Sequence, residues 1–242
     1  FGVPTQSFVP EVIDVWVPGS GEVLVRVMAA GVNFNGIWAG LGSPVNILAN
    51  HGLDLVVPGS DASGVVWAIG EGVTGWKVGD EVVLHCNHLL EPGASDLQTI
   101  WGYETPDGAF AQFTRVQSQQ LLRKPPQLSW EEAASYGLTY YTAHRMLVDR
   151  AKVQPGEVVL VWGSAGGLGV FAVQLAAAMG ARPIAVVSSD DKAELCLRLG
   201  AVGVINRAEF PALHFRDDMS AAEQAAHRRA IRAFGERIWQ IL

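Results

Sequence analysis

Seven residues, Gly163-Ser164-Ala165-Gly166-Gly167-Leu168-Gly169, have the types and spacing to hold a phosphate. They lie between a continuous apolar run, VVLVW, and a stretch of helical texture, VFAVQLAAAMG. Missing side chains let a backbone approach a diphosphate, and the helix N-terminus that follows offers free N–H groups and a partial positive charge. In that setting the loop is expected to bind a dinucleotide rather than to be a bare turn. The kind of dinucleotide depends on the end of the next strand, where an NAD enzyme places a carboxylate on the ribose 2′-hydroxyl. In AVVSSDDK that place is Ser188 or Ser189. Hydroxyls accept a 2′-phosphate that a carboxylate would repel, and Lys192 and Arg207 are close enough in sequence to neutralise it, which favours NADPH over NADH. Asp190 and Asp191 oppose that reading unless they serve as the cap and first turn of the next helix.

The elements that position this loop follow from pattern. VVLVW suits a strand buried on both faces, and after the glycine-loop helix come PIAVV, the helix DDKAELCLRLG and the strand VGVIN. Strand, helix, strand, helix, strand is the parallel, doubly wound order. Such a domain has about six strands, and only three fit before residues 211 to 240 turn charged and helical. The chain is therefore expected to be a fragment of a longer protein, opening at Phe1 and ending in an apolar run. Upstream, residues 1 to about 125 read as short strands between Gly and Pro turns: EVLVRVMAAGV, SDASGVVWAIG, DEVVLHCN and AFAQFTRV. At Pro125-Pro126 the texture changes, and Ser129 with Glu132 has capping-box spacing, predicting a helix to about Met146. The expected division is 1–126 and 127–242.

A net charge of −7 argues against a nucleic-acid partner, whose phosphates need a basic surface. The most apolar region, residues 158 to 187, is broken by glycines, Gln174 and Arg182, so no membrane span is expected. Two cysteines, Cys86 and Cys196, cannot build a disulfide framework and point to a reducing, cytoplasmic setting. His85-Cys86-Asn87-His88 invites a metal reading, but strand neighbours point to opposite faces and no fourth ligand is evident, so no metal is expected. Ser164 in GSAGG does not match a G-x-S-x-G nucleophile elbow.

Several segments together resemble the crotonyl-CoA carboxylase/reductase family of zinc-independent medium-chain dehydrogenases/reductases: VMAAGVNFNGIWA, GSDASGVVWAIG, WKVGDEVVLHCN, IWGYETPDGAFAQF, LSWEEAASYGLTYYTAHRML and VWGSAGGLGVFAVQLA. The likeness runs to about Arg207. The glycine loop, whose spacing is a medium-chain variant of GxGxxG with Gly166, Gly167 and Gly169 nearest the phosphates, would identify only the superfamily. GVNFN with WGYET, and a stretch around 85 to 100 in place of a zinc lobe, are more specific. Where zinc alcohol dehydrogenases carry a cysteine this chain has Asn33, and where they carry a His-Glu pair it has Ser60-Asp61.

The resemblance implies an α/β protein with a strand-rich GroES-like catalytic domain and a Rossmann cofactor domain, incomplete in this chain. It implies hydride transfer from NADPH to the β-carbon of an enoyl-CoA and attack of the resulting enolate on CO2, as in relatives that make polyketide extender units. It also implies a homo-oligomer, dimer or tetramer. Residues expected at CO2 are Asn33 or Asn35, with Asn33 favoured because it takes the metal-ligand position of the zinc relatives, together with Tyr103 and Glu104 and a later histidine beyond Leu242. An enoyl or quinone reductase without carboxylation is the rival. Without the resemblance, these residues read as turn asparagines, an exposed carboxylate and a packing aromatic. Gly137, by removing side-chain volume, is expected to admit longer acyl chains unless it relieves backbone crowding.

Overall fold

β-Branched residues at alternating positions make the first sheet. The computed structural model describes residues 1–90, 98–214 and 216–242. In β1 (Glu22–Gly31) and β2 (Asp61–Ile69), Val23, Val25 and Val66 are wholly buried, and they pack with Val82 and Leu84 of β3 (Glu81–Leu84). Small strands β4 (Asn87–Leu89) and β5 (Gln98–Ile100) pair with each other, while β6 (Phe113–Gln117) and β7 (Leu121–Arg123) complete an antiparallel sheet of order β6-β1-β2-β3-β7. Residues 91–97, within the stretch expected in place of a zinc lobe, lie outside the described residues. Register shifts between Leu24 and Val25 and between Val27 and Ala29 leave Gly31 opposite Asp61. That offset sets the site, because the chain leaves β1 beside the start of β2.

Short helices α1 (Pro4–Ser7), α2 (Phe34–Leu41) and α3 (Ile47–His51) belong to the same unit. So does α4 (Trp130–Ala134), which opens on the expected capping box: Glu132 N–H donates to Ser129 Oγ at 3.1 Å, and Ser129 N–H to Glu132 Oε2 at 2.8 Å. Its Ala133 and Ala134 are buried against β1 and β2, and a Cβ on Gly31 would stand 2.1 Å from the Ala134 carbonyl. This packing carries the first unit to Leu138, past the expected boundary at 126; the second is Thr139–Leu242.

The helix predicted to run to Met146 is broken. α4 stops at Ala134, α5 covers Gly137–His144, and a π-helical turn follows at Arg145–Arg150. The break has a cause, since the Leu138 N–H donates to Asp61 Oδ1 at 2.6 Å instead of to a carbonyl of its own helix.

In the second unit β8 (Val158–Trp162), β9 (Arg182–Val187) and β10 (Gly203–Asn206) are parallel in the order β10-β9-β8. Helices α6 (Gly167–Ala178) and α7 (Ala193–Arg198) are the crossovers, and α8 (Ala221–Ile241) forms the charged tail. Period-two alternation along β9 divides its side chains between the two faces. Ala185 and Val187 pack with Val173 of α6, whereas Ile184 and Val186 pack with Phe234, Ile238 and Ile241 of α8. Phe234 also stacks on Trp162 at 5.3 Å. Among the described residues no helix is long and apolar enough to cross a membrane.

Phe234 is 8% exposed and joins α8 to the sheet, so Phe234→Ala is expected to cost about 3 kcal/mol. Chemical denaturation checks it; a loss well under 1 kcal/mol would mean that α8 contributes little to this unit.

Candidate functional site

The glycines of the loop divide by what demands them. Gly163 sits at φ 64°, a left-handed conformation that disfavours any side chain. On Gly169 a Cβ would lie 2.3 Å from the Gly163 carbonyl oxygen, so its absence lets α6 pack against the loop. The protein makes no comparable demand at the other two: a Cβ on Gly167 would make ordinary contact with Thr139 Cγ2 at 3.4 Å, and one on Gly166 a tight 3.2 Å. Both are exposed, as is Leu168. The first-turn N–H groups of α6, from Gly167 to Gly169, have no carbonyl of their own helix to donate to.

Ser164 faces inward. It is fully buried, its hydroxyl donates to the Val161 carbonyl and accepts the Val186 N–H at 3.0 Å, and it thereby ties the loop to β8 and β9. Its side chain shapes the loop, which leaves the loop backbone as the part expected to approach a nucleotide.

A cavity of about 230 Å³ opens beside the loop, lined by Gly163, Ala165, Gly166, Ser188, Lys192 and Arg207, with Val186 and Val187 at its floor. Sequence reasoning named six of these residues, and they come together. Lys192 Nζ donates to Ser188 Oγ at 2.8 Å, which settles the choice of hydroxyl facing the cavity. Ser189 instead hydrogen-bonds Asp191, whose carboxyl is held below its ordinary value by that bond. Asp190 Oδ1 accepts from Asn206 Nδ2 at 2.9 Å. Neither Asp190 nor Asp191 lines the cavity. Among the described residues, Lys192 and Arg207 make no ion pair, and both charges remain available to an anion. Exposed glycines beside a cationic, hydroxyl-lined hollow fit a phosphorylated dinucleotide.

The first unit holds the other group. Asn33 is the N-cap residue of α2, yet its side chain makes no capping bond; Nδ2 donates to Asp61 Oδ2 at 2.8 Å. Asn35 Nδ2 donates to Ser60 Oγ at 2.8 Å. The turn asparagines that would satisfy backbone groups are therefore something else, two half-buried carboxamides held by side chains. Ser60 and Asp61, each 1% exposed, are the functional neighbours that sequence reasoning noted only as replacements for a zinc pair.

Tyr103 and Glu104 reach this neighbourhood through a backbone stitch. The Gly59 N–H donates to the Gly102 carbonyl at 3.0 Å, and the left-handed Gly102 approaches so closely that a Cβ would overlap the Gly59 carbonyl. Tyr103 is buried, with its ring 6.3 Å from that of Trp38 on α2. Burial pushes its phenol up, and the adjacent Glu104 charge adds to this. Glu104 is half-buried rather than exposed: Oε2 accepts the Ile100 N–H at 2.7 Å, and its carbonyl bonds His51 Nε2 at 2.8 Å. Glu104 also borders a cavity of about 640 Å³ with His51, His88 and Arg115, a cavity that neither Asn33 nor Tyr103 lines.

Of the two roles expected for Gly137, the geometry supports relief of crowding. A Cβ there would lie 2.5 Å from Asp61 Oδ1 and 3.3 Å from the Leu84 carbonyl, so the glycine relieves crowding around the buried carboxylate. Cys86 is 3% exposed, and burial, with the Asp61 charge, pushes its thiol up to about 12. It remains a thiol at neutral pH, a weak nucleophile. Among the described residues, no three His, Cys, Asp or Glu side chains group as metal ligands.

A family model for the alcohol dehydrogenase GroES-like domain matches residues 19–126, and one named zinc-binding dehydrogenase matches residues 167–229. The crotonyl-CoA carboxylase/reductase of Cereibacter sphaeroides is 50% identical over 99% of this chain. The chain belongs to the crotonyl-CoA carboxylase/reductase family. It spans 58% of that curated relative's length. A solved crotonyl-CoA carboxylase/reductase, AntE in complex with NADP, superposes with a TM-score of 0.90 at 43% identity, covering 99% of this chain and 64% of AntE. The 2-octenoyl-CoA carboxylase reductase CinF, in complex with NADP and 2-octenoyl-CoA, gives a TM-score of 0.80 at 36% identity, covering 95% of this chain and 55% of CinF. Both expected architectures, GroES-like and Rossmann, are thus present.

Burial pushes the Asp61 carboxyl from an ordinary 3.8 up to about 6, against the opposing hydrogen bonds from Asn33 and Leu138. Because the folded-state value is the higher one, the folded chain holds this proton more tightly. Asp61 therefore adds stability below about pH 4, and that contribution is lost as pH rises through 6. Asp61→Asn is expected to be more stable than the parent at pH 8, by up to about 3 kcal/mol, with the gain gone at pH 4. Denaturation curves at the two pH values check this; a variant less stable than the parent at pH 8 contradicts it.

Proposed function

We propose that this protein is an NADPH-dependent reductase that carboxylates α,β-unsaturated acyl-CoA thioesters as it reduces them. The observation that carries the reading is the pair of carboxamides, Asn33 and Asn35, anchored on Ser60 and Asp61, with Tyr103 buried against Trp38 of the same α2, at the positions where the zinc enzymes of the superfamily hold a metal. A carboxamide N–H polarises CO2, an apolar molecule with electron-rich oxygens, without supplying an acidic proton.

Gly166 and Gly167 leave room for the diphosphate of the nucleotide, and Ser188, Lys192 and Arg207 receive its 2′-phosphate. When bound, the reduced nucleotide supplies the hydride for the β-carbon of the thioester. The α-carbon of the resulting enolate forms its new bond to the carbon of CO2, and one C=O electron pair moves onto oxygen to give a carboxylate. Asn33 or Asn35 donates an N–H to that oxygen. Tyr103, buried and with its phenol held high, walls the site without readily yielding a proton, which matters because protonation of the same enolate ends in plain reduction. Glu104 holds the turn that carries Tyr103. The two free, buried cysteines accord with a cytoplasmic enzyme, and a homo-oligomer, dimer or tetramer, is the proposed assembly.

Product mass separates this reading from an enoyl or quinone reductase. With NADPH, crotonyl-CoA and 13C-bicarbonate, the natural full-length enzyme is expected to yield labelled ethylmalonyl-CoA; butyryl-CoA alone would remove carboxylation from the account. Lys192→Ala is expected to raise KM for NADPH at least tenfold, roughly the worth of one charge-assisted contact, and KM for NADH by less than about twofold. An equal change for both nucleotides would mean that Lys192 does not meet the 2′-phosphate.

A further inference from the structure

Asp61 is a 1% exposed carboxylate that, among the described residues, makes no ion pair. Its two oxygens are instead spent on two N–H donors, Leu138 N at 2.6 Å and Asn33 Nδ2 at 2.8 Å. Burying an uncompensated carboxylate is costly, and holding a helix break would need only one of those oxygens. The second has a different partner. A carboxamide can sit either way round, and a carboxylate, which only accepts, leaves one choice.

We propose that Asp61 is a positioning residue that fixes the Asn33 carboxamide with its nitrogen inward, leaving the second, polarised N–H as the donor that meets CO2. This rests on the carboxylating function proposed above, and it selects Asn33 over Asn35, whose partner Ser60 can donate as well as accept and so imposes no orientation. Asp61 itself touches no reacting atom; it acts through Asn33.

The isostere Asp61→Asn separates this from a purely structural role. It keeps a carbonyl oxygen for Leu138 N–H but turns an NH2 toward Asn33, where two donors cannot pair, so the Asn33 carboxamide must turn over and withdraw its nitrogen. The experiment uses the natural full-length enzyme with NADPH, crotonyl-CoA and saturating bicarbonate, and it reads the ratio of carboxylated to protonated product. We expect Asp61→Asn to lower that ratio at least tenfold, Asn33→Ala to lower it similarly, and the double variant to fall no further than either single one. If Asp61→Asn leaves the ratio unchanged, loses both products in proportion or loses all activity, or if the double variant falls by the product of the two single effects, the proposal is overturned. Absence of carboxylated product from the unsubstituted enzyme would instead remove the function on which the proposal rests.

Discussion

A single buried carboxylate organises the first unit. Asp61 stands at the start of β2 because the bulged register of β1 sets Gly31 across from it, and everything near it is arranged around its two oxygens. One takes the Leu138 N–H and breaks what would be a continuous helix. The other takes Asn33, so this residue, two past the end of β1, turns its side chain to Asp61 rather than capping α2. Gly137 is a glycine because the carboxylate leaves no room for a Cβ. The same charge, with burial, keeps Cys86 a thiol. In the zinc relatives a metal ion would organise such a place; here hydrogen bonds do.

The second unit solves a different problem, that of approaching a highly charged ligand with backbone. Gly163 is required by a left-handed turn and Gly169 by the packing of α6, while Gly166 and Gly167 are exposed, and a Cβ on them would meet neighbours only at 3.2 and 3.4 Å. Ser164 ties the loop to β8 and β9, and the hydroxyl and cations proposed to select the nucleotide follow the ends of β9 and β10. These bonds tie the loop to the sheet, and a loop held in its binding conformation lowers the ordering cost of binding.

Local patterns in the sequence revealed most of the fold. The apolar runs of β8, β9 and β10, the glycine loop and the Ser129 capping box are signals spoken by neighbouring residues, and each element began about where expected, although the helix opened by the capping box stops at Ala134. Ser188, Lys192 and Arg207 were also legible, because one strand end and the next turn bring them together. What stayed hidden depends on long-range contact. Nothing near Gly137 in the chain announces a carboxylate 76 positions upstream, so the helix break was invisible and the glycine was read as pocket volume. The inward role of Ser164 was hidden as well, because it accepts the N–H of Val186 on the next strand. Asn33 and Asn35 were singled out by family likeness, but their anchors Ser60 and Asp61 become visible only once β1 and β2 pair.

The bond between Asn33 and Asp61 can be observed directly through the side-chain amide signal of Asn33 in a 15N–1H spectrum, assigned by its loss in Asn33→Ala. Followed from pH 4.5 to 8, that signal is predicted to shift with a midpoint near the Asp61 value of about 6, a range in which the neighbouring Cys86, at about 12, does not titrate. A signal that stays put across the whole range would contradict the account.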